Sequence, residues 1–328
     1  KVMQCFARPF HHGDNELYLG TGIGVVLYPE HGEDVTTLLS RADVAMYSAK
    51  HRDAGYLYYD ASLDPNTQQR LQFSTELRQA LARGEFVLHF QPKIDLHLQR
   101  VTGTEALIRW NHPQQGLLPP DKFIPLTERT GLIRPITYWV IETAARQCKA
   151  CHDAGFALRV AVNVPGRMFH DPELIDRIEH TLREVGVPTD CLEIEITENV
   201  LMADIEHVSR VLDRINALGI HIAIDDFGTG YSSLAYLKKL PLRTLKIDKS
   251  FVLDMVNDEN DAVIVRSTID LAHNLGYRVV AEGIENQDTW DLLSILGCDE
   301  AQGVHISRPL PPEKLAVWLQ HSPWGKGG

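Results

Sequence analysis

The 328-residue sequence contains no apolar run near the roughly 20 residues that a helix needs to cross a bilayer, so no membrane segment is expected in it. It opens on Lys1 without a basic-then-apolar leader. No export signal is visible, and the chain is expected to be part of a longer protein, with any sensor or membrane anchor upstream. Cysteine is scarce: Cys5, Cys148, Cys151, Cys191 and Cys298 form an odd, scattered set that fits no disulfide framework. That usage points to a reducing, cytoplasmic compartment. Positive charge is also in short supply. With 32 Lys and Arg against 44 Asp and Glu, the formal net charge is −12, which argues against a general binder of DNA or RNA duplexes. A phosphate ligand remains open if metal ions supply local positive charge. Hydrophobic residues make up 44% and charged residues 23%, a globular composition in which disorder is not expected.

Cys148-Lys149-Ala150-Cys151-His152 has the spacing of a haem-attachment motif. It lies in a continuous helical pattern over 136–152, with Tyr138, Ile141 and Ala145 on one side. Haem attachment also requires export and a second axial ligand. The expectation is therefore two ordinary helix cysteines.

Up to about residue 60 the elements are few. Residues 17–27 read as a strand interrupted by Gly20, Gly22 and Gly24, 35–50 as a helix, and 57–59 as one more short strand. Such a piece makes a poor independent core. Residues 64–84 read as a polar helical connector with Leu71, Phe73, Leu77 and Leu81 near helical spacing. Beyond it, short runs rich in Val, Ile and Leu recur at 86–94, 103–110, 158–164, 192–197, 221–226, 244–247, 278–281 and 301–306. Helix-like stretches such as 172–185, 206–218, 261–275 and 287–296 intervene. Strands alternating with helices imply a parallel sheet. About eight strands in roughly 240 residues favour a closed β/α barrel of the TIM type. The link 95–100 is of hairpin length, too short for a parallel crossover, so one early strand is expected to run antiparallel.

Polar groups recur where these runs end: Glu105, Asn163, Glu195 with Glu198, Asp225 with Asp226, Lys246 with Asp248, Glu282 and Gln302. The carboxyl ends of barrel strands form the active-site face. Each group alone has an ordinary explanation. Asp225-Asp226 would open the turn Phe227-Gly228-Thr229-Gly230, Glu198 would be a first-turn helix carboxylate, and Lys246 would be an ion-pair partner. Their recurrence at most of the consecutive strand ends is what points to a site. Glu193 and Glu195 share one strand face, but spacing leaves open whether that face is the barrel interior. Clustered carboxylates repel unless cations neutralise them. An oxygen-rich set suits Mg²⁺, Mn²⁺ or Ca²⁺ better than Zn²⁺. The adjacent Asp225 and Asp226 suggest two ions, an arrangement suited to in-line attack on a phosphodiester.

An ordered set of motifs resembles the EAL domain family of cyclic di-GMP phosphodiesterases over about residues 68–322. It comprises Phe90-Gln91-Pro92, Thr104-Glu105-Ala106-Leu107-Ile108-Arg109-Trp110, Phe123-Ile124-Pro125-Leu126-Thr127-Glu128, Val162-Asn163 and Glu195-Ile196-Thr197-Glu198. It continues through the stretch from Asp225-Asp226-Phe227-Gly228 to Ser233-Leu234, then Leu245-Lys246-Ile247-Asp248, Ala281-Glu282-Gly283 and Gln302-Gly303.

The resemblance implies hydrolysis of cyclic di-GMP to the linear dinucleotide pGpG in bacterial signal transduction, with two Mg²⁺ or Mn²⁺ ions per site and Ca²⁺ inhibitory. It implies that Glu105, Asn163, Glu195 and Asp225 hold one ion. Asp225 would bridge, Asp226 would help hold the second ion, Glu282 would contribute directly or through water, and Asp248 would contribute to the second site. Lys246 would orient or deprotonate the attacking water. Glu198 would brace the loop 226–233, and Gln91, Leu107, Arg109 and Gln302 would meet the substrate. A homodimer through the region 226–236 is implied as well. The alternative is a catalytically inactive cyclic di-GMP receptor; such members tend to lose metal ligands or the loop glutamate, all of which stand here. Val164-Pro165 and Val304 depart from the family pattern beside the site.

The front part, with Gly22-Ile23-Gly24, Tyr28-Pro29, Leu39 and the stretch from Arg41-Ala42-Asp43 to Ser48-Ala49-Lys50, resembles the end of a GGDEF diguanylate cyclase domain. The Gly-Gly-Asp-Glu-Phe motif is absent, so this chain is expected to make no cyclic di-GMP. The expected division is 1–62 for the GGDEF remnant, 63–84 for the connector and 85–325 for the phosphodiesterase barrel.

Overall fold

The computed structural model describes residues 10–12, 15–17, 22–51, 54–60, 63, 67–229 and 237–325. The chain divides into two compact units, 1–76 and 77–328.

In the first unit, β1 (Phe10–His12) pairs antiparallel with β2 (Asn15–Leu17), and β3 (Ile23–Val25) pairs parallel with β4 (Tyr56–Tyr58). The helix Val35–His51 connects β3 to β4. It crosses the strand so closely that a Cβ at Gly24 would sit 1.9 Å from the Ala42 carbonyl oxygen. Ala45, Tyr59 and Leu63 are buried together, with Val26, Val44 and Leu57 packed against them. The strand expected over 17–27 is thus two short strands; Gly20 and the link 18–21 lie outside the described residues. The helix Thr67–Ala82 takes the place of the polar connector.

The second unit is a closed β/α barrel. Its strands are β5 (Phe86–Asp95), β6 (Arg100–His112), β8 (Arg159–Asn163), β9 (Leu192–Thr197), β10 (His221–Phe227), β11 (Thr244–Ile247), β12 (Arg278–Glu282) and β13 (Glu300–Gln302). A short β7 (Gly116–Leu118) folds back on β6. The sheet runs β5-β13-β12-β11-β10-β9-β8-β6, and a β5–β6 pairing closes it. β5 is antiparallel to both its neighbours, β6 and β13, as the hairpin-length link between the first two runs requires. The other barrel pairs are parallel. The last apolar run, 301–306, is strand only through Gln302 and then turns.

Strand parity sorts the side chains. Ile194, Ile196, Ile222, Ile224, Leu245, Ile247 and Val279 are fully buried on the strands' apolar faces. Each such side chain removed from water contributes roughly 2 kcal/mol toward folding. The alternate positions include Lys93, Glu105, Glu193, Glu195, Thr244, Lys246, Glu300 and Gln302, all buried. Branched aliphatic layers usually fill such an interior; here much of it is ionic. That is why these strands alternate polar and apolar instead of reading as continuous hydrophobic runs.

The crossover helices start where short polar side chains accept their free amides. Asp204 accepts from His207 N, Asp258 from Asn260 N, and Asn286 from Thr289 N. Cys148 and Cys151 lie buried on the helix Ile133–Asp153, and the Cys148 thiol donates to the Leu158 carbonyl 3.3 Å away. Both sulfurs serve as core atoms of that helix.

Candidate active site

The site is built at the carboxyl ends of the strands around one amine. Lys246, fully buried on β11, places Nζ 2.6 Å from Glu282 Oε1, 2.9 Å from Glu195 Oε2, 3.0 Å from Asp225 Oδ1 and 3.7 Å from Glu105 Oε2. Strand register brings these groups level: Asn163 lies opposite Glu195, and Glu282 opposite Gln302. Gln91 on the reversed β5 lies opposite Glu105. Asn163 Nδ2 donates to Glu105 Oε1 at 2.7 Å and to Glu195 Oε2 at 3.2 Å. Gln302 Nε2 donates to Glu105 Oε2 at 2.6 Å and to Gln91 Oε1 at 3.1 Å, and Gln91 Nε2 donates to the Ser307 carbonyl at 3.0 Å. Gln302 Oε1 is buried with no hydrogen-bond partner among the described residues.

The paired aspartates owe their placement to an irregularity. In a regular strand Asp225 and Asp226 would point to opposite faces. The β10–β11 register shifts between Ile224 and Phe227, and Asp226 takes φ +54°, the left-handed region that non-glycine residues rarely adopt. Both carboxylates thereby join one cluster. Two groups of three have ligand atoms within 4.8 Å of one another: Glu105, Glu195 and Asp225; and Asp225, Asp226 and Glu282. Asp225 belongs to both. Strain of this kind, held by its surroundings, is typical of functional sites.

The electrostatics follow from burial. Burial pushes Glu282 up to about 8 against the pull of Lys246, with Asp225 and Glu105 adding to the rise. Glu105 is raised for the same first reason. Asp226 is pushed up to about 6 by burial and by the Asp225 and Asp248 charges. Burial would also raise Glu195, but Lys246 and Lys93 overcome it and hold that carboxyl near 2. Lys246 itself stays well above the usual lysine range, because four carboxylates outweigh the cost of burying it. The five carboxylates outnumber the two ammonium groups that reach them, Lys246 and Lys93, which leaves a surplus of negative charge, and the donors are all oxygen. The set fits hard divalent cations.

Other residues singled out in the sequence fall around this cluster. Glu198, buried at the start of the helix Glu198–Ala203, accepts from Gly228 N at 3.0 Å. Asp248 stands outside both groups of three; its Oδ1 accepts from Ser250 N at 2.9 Å, capping the helix Lys249–Val252, and its side chain bonds that of Asp226. Leu107 and Arg109 follow Glu105 at alternate positions of β6 and are partly exposed. Arg109 Nη1 donates to the Ile108 carbonyl at 2.8 Å. Val164, buried, donates its amide to the Glu195 carbonyl at 2.9 Å, and Pro165 starts the turn Gly166–His170. Val304 is exposed. Residues 230–236, which carry the rest of the loop and the region of the expected dimer contact, lie outside the described residues.

Lys93 was not among the residues read from the sequence. It is 3% exposed and lies between Glu193 and Glu195. Its only signal was parity: it sits two residues after Gln91, on the same strand face.

A closed barrel with a reversed strand and a carboxylate-lined mouth defines the class. The chain belongs to the EAL domain family, whose model matches residues 74–309. The model for "Diguanylate cyclase, GGDEF domain" matches residues 1–55. Among curated relatives, the signaling protein YkoW of Bacillus subtilis is 41% identical over 98% of this chain and 40% of its own length. The bifunctional diguanylate cyclase/cyclic di-GMP phosphodiesterase MucR of Pseudomonas aeruginosa is 40% identical over 96% of this chain and 46% of its own length. The chain thus spans less than half of either relative. Among solved structures, the PaMucR phosphodiesterase in its c-di-GMP complex superposes with a TM-score of 0.73 at 42% identity, covering 74% of this chain and 99% of that one. No described helix is long and apolar enough to cross a membrane.

Proposed function

We propose that the barrel hydrolyses cyclic di-GMP to linear pGpG with two Mg²⁺ or Mn²⁺ ions held at the strand ends. The observation that carries this reading is the pair of carboxylate triads sharing Asp225 around Lys246. Similarity to MucR, solved in its c-di-GMP complex, supplies the substrate. Glu105, Glu195 and Asp225 would hold one ion with Asn163, whose amide oxygen would serve as the ligand once the flipped amide no longer donates to Glu105 and Glu195; amide orientation follows the network around it. Asp225, Asp226 and Glu282 would hold the second, with the neighbouring Asp248 carboxylate contributing to that site. Two such ions supply a lowered water pKa and neutralise charge developing at phosphorus.

The chain's own groups do the rest. With the surrounding carboxylates engaged by cations, Lys246 loses part of its negative surroundings, which suits it to orient the attacking water or take its proton. Arg109, half-buried beside the mouth, offers a planar donor fork to a phosphate oxygen. Leu107 offers an apolar contact, and the linked amides of Gln91 and Gln302 offer hydrogen-bond partners to the nucleotide. Glu198 holds the backbone of Gly228, two residues past Asp226, and so steadies the loop. The same reading divides the chain into 1–62, 63–84 and 85–325 and makes it a homodimer, for which a light-scattering mass of twice 36.9 kDa is the expected result.

Incubation of the purified chain with cyclic di-GMP and Mn²⁺ or Mg²⁺, followed by chromatography, tests the proposal. Linear pGpG is the expected product. Tight binding without product under either metal would instead make the chain a silent receptor.

A further inference from the structure

Beneath the mouth the barrel interior holds a second charged layer that the proposed chemistry does not use. Lys93 Nζ is 2.7 Å from Glu195 Oε1 and 2.9 Å from Glu193 Oε1, all three side chains being at most 4% exposed. Glu193 is also approached by Thr244 Oγ1 at 3.3 Å and by Arg159 Nη1 at 3.7 Å. The two oxygens of Glu195 are therefore divided. Oε1 faces down to Lys93, while Oε2 faces Lys246 and Asn163 in the mouth.

We infer that Lys93 is a positioning residue for the metal centre: it pins Glu195 Oε1 from below, so that Glu195 presents a single oxygen, Oε2, to a cation. Burial makes the arrangement stiff. A carboxylate with one oxygen tied to a buried ammonium can neither rotate to chelate through both oxygens nor swing out of the cluster. Partners behind a metal ligand set its orientation, and their loss typically costs 10- to 100-fold in metal affinity. In the β5–β6 hairpin Pro92 pairs with Thr104 and Lys93 with Gly103, and the register slips immediately after, between Lys93 and Ile94. Gly103, opposite Lys93, has no room for a side chain: a Cβ there would lie 2.7 Å from the Arg159 carbonyl oxygen.

The inference rests on the metal reading above, and charge alone predicts the opposite result. Lys93 is a cation near a cation site, so if it acted only through its charge, removing it would tighten metal binding. Mn²⁺ titration of the full chain by calorimetry decides between the two. Lys93→Met is expected to weaken Mn²⁺ binding about tenfold or more. The charge-balanced Lys93→Met/Glu193→Met variant, which replaces a buried ion pair with apolar volume, is expected to melt near the wild type yet bind Mn²⁺ just as weakly. At subsaturating Mn²⁺ its kcat should fall, recovering with excess Mn²⁺, while KM for cyclic di-GMP holds. Wild-type or tighter Mn²⁺ affinity in either folded variant overturns the role of Lys93. Failure of the wild type itself to bind Mn²⁺ or Mg²⁺ overturns the metal reading on which it stands.

Discussion

Lys246 is the residue on which the site turns, because its ammonium lies within 4 Å of four of the carboxylates. Truncating it leaves buried negative charges facing one another. Lys246→Ala should therefore abolish turnover and also lower the folding free energy of the metal-free chain by about 3 kcal/mol, read by urea unfolding. Glu105→Ala should abolish turnover too, with a much smaller loss of stability, since one carboxylate fewer relieves repulsion. Near-normal rates in either variant would show that the reacting atoms lie elsewhere. Asp226 is the other telling residue. It holds its positive φ with its carbonyl accepting from Thr229 Oγ1 at 2.8 Å. No pattern in the sequence announces a bulge at that position, although the adjacent aspartates did mark the spot.

Among elements, the strand ends and the turns after them set the site's precision. Gly303 follows Gln302 where the chain packs on the backbone of Ile284; a Cβ there would come within 2.1 Å of the Ile284 carbonyl oxygen. Gly303→Ala should cost about 2 kcal/mol or more and misplace Gln302, seen as a lower melting temperature and a raised KM for cyclic di-GMP. The helix Ile133–Asp153 is tied to the turn after β8 by Asp171, which accepts from Arg134 Nε at 2.5 Å and from the Tyr138 hydroxyl at 2.7 Å. The Arg134 hydrogen bond is the main reason the Asp171 carboxyl sits near 2, below its usual 3.8. A depressed pKa adds stability that is complete above the unfolded value and fades as pH falls through the folded one. Asp171→Asn should thus lower the melting temperature at pH 7, and the gap from the wild type should close between about pH 4 and pH 2. A gap that persisted unchanged at pH 2 would mean that the carboxylate charge is not its source. Element types were largely legible beforehand. The 221–226 run became His221–Phe227, and the 206–218 stretch became Ile205–Ala217. The short β7 was missed, because Gly116-Leu117-Leu118 is too brief to show a period.

For the whole molecule, the net charge of −12 and the carboxylate surplus at the barrel mouth lead to the prediction that cation binding stabilises the fold. Mn²⁺ at about 100 times its dissociation constant should add about 2.7 kcal/mol to the folded state, raising the melting temperature over a sample held in EDTA. Ca²⁺ should also stabilise, yet inhibit turnover, because its larger and looser coordination places water poorly; full activity in Ca²⁺ would count against the two-metal arrangement. By itself the sequence determined the barrel, its reversed strand and the strand-end carboxylates, since period-two alternation, helical spacing and a hairpin-length link are properties of neighbouring residues. It also determined the family, through motifs in order. The resemblance already implied that Glu195, and with it Glu193, faces the interior; only the tertiary structure decided that a bulge turns Asp225 and Asp226 to one cluster, and that Lys93 reaches Glu195 across a separation of 102 residues. Those facts depend on strand register and barrel closure. A stretch of chain cannot encode either until its partner strands are in place.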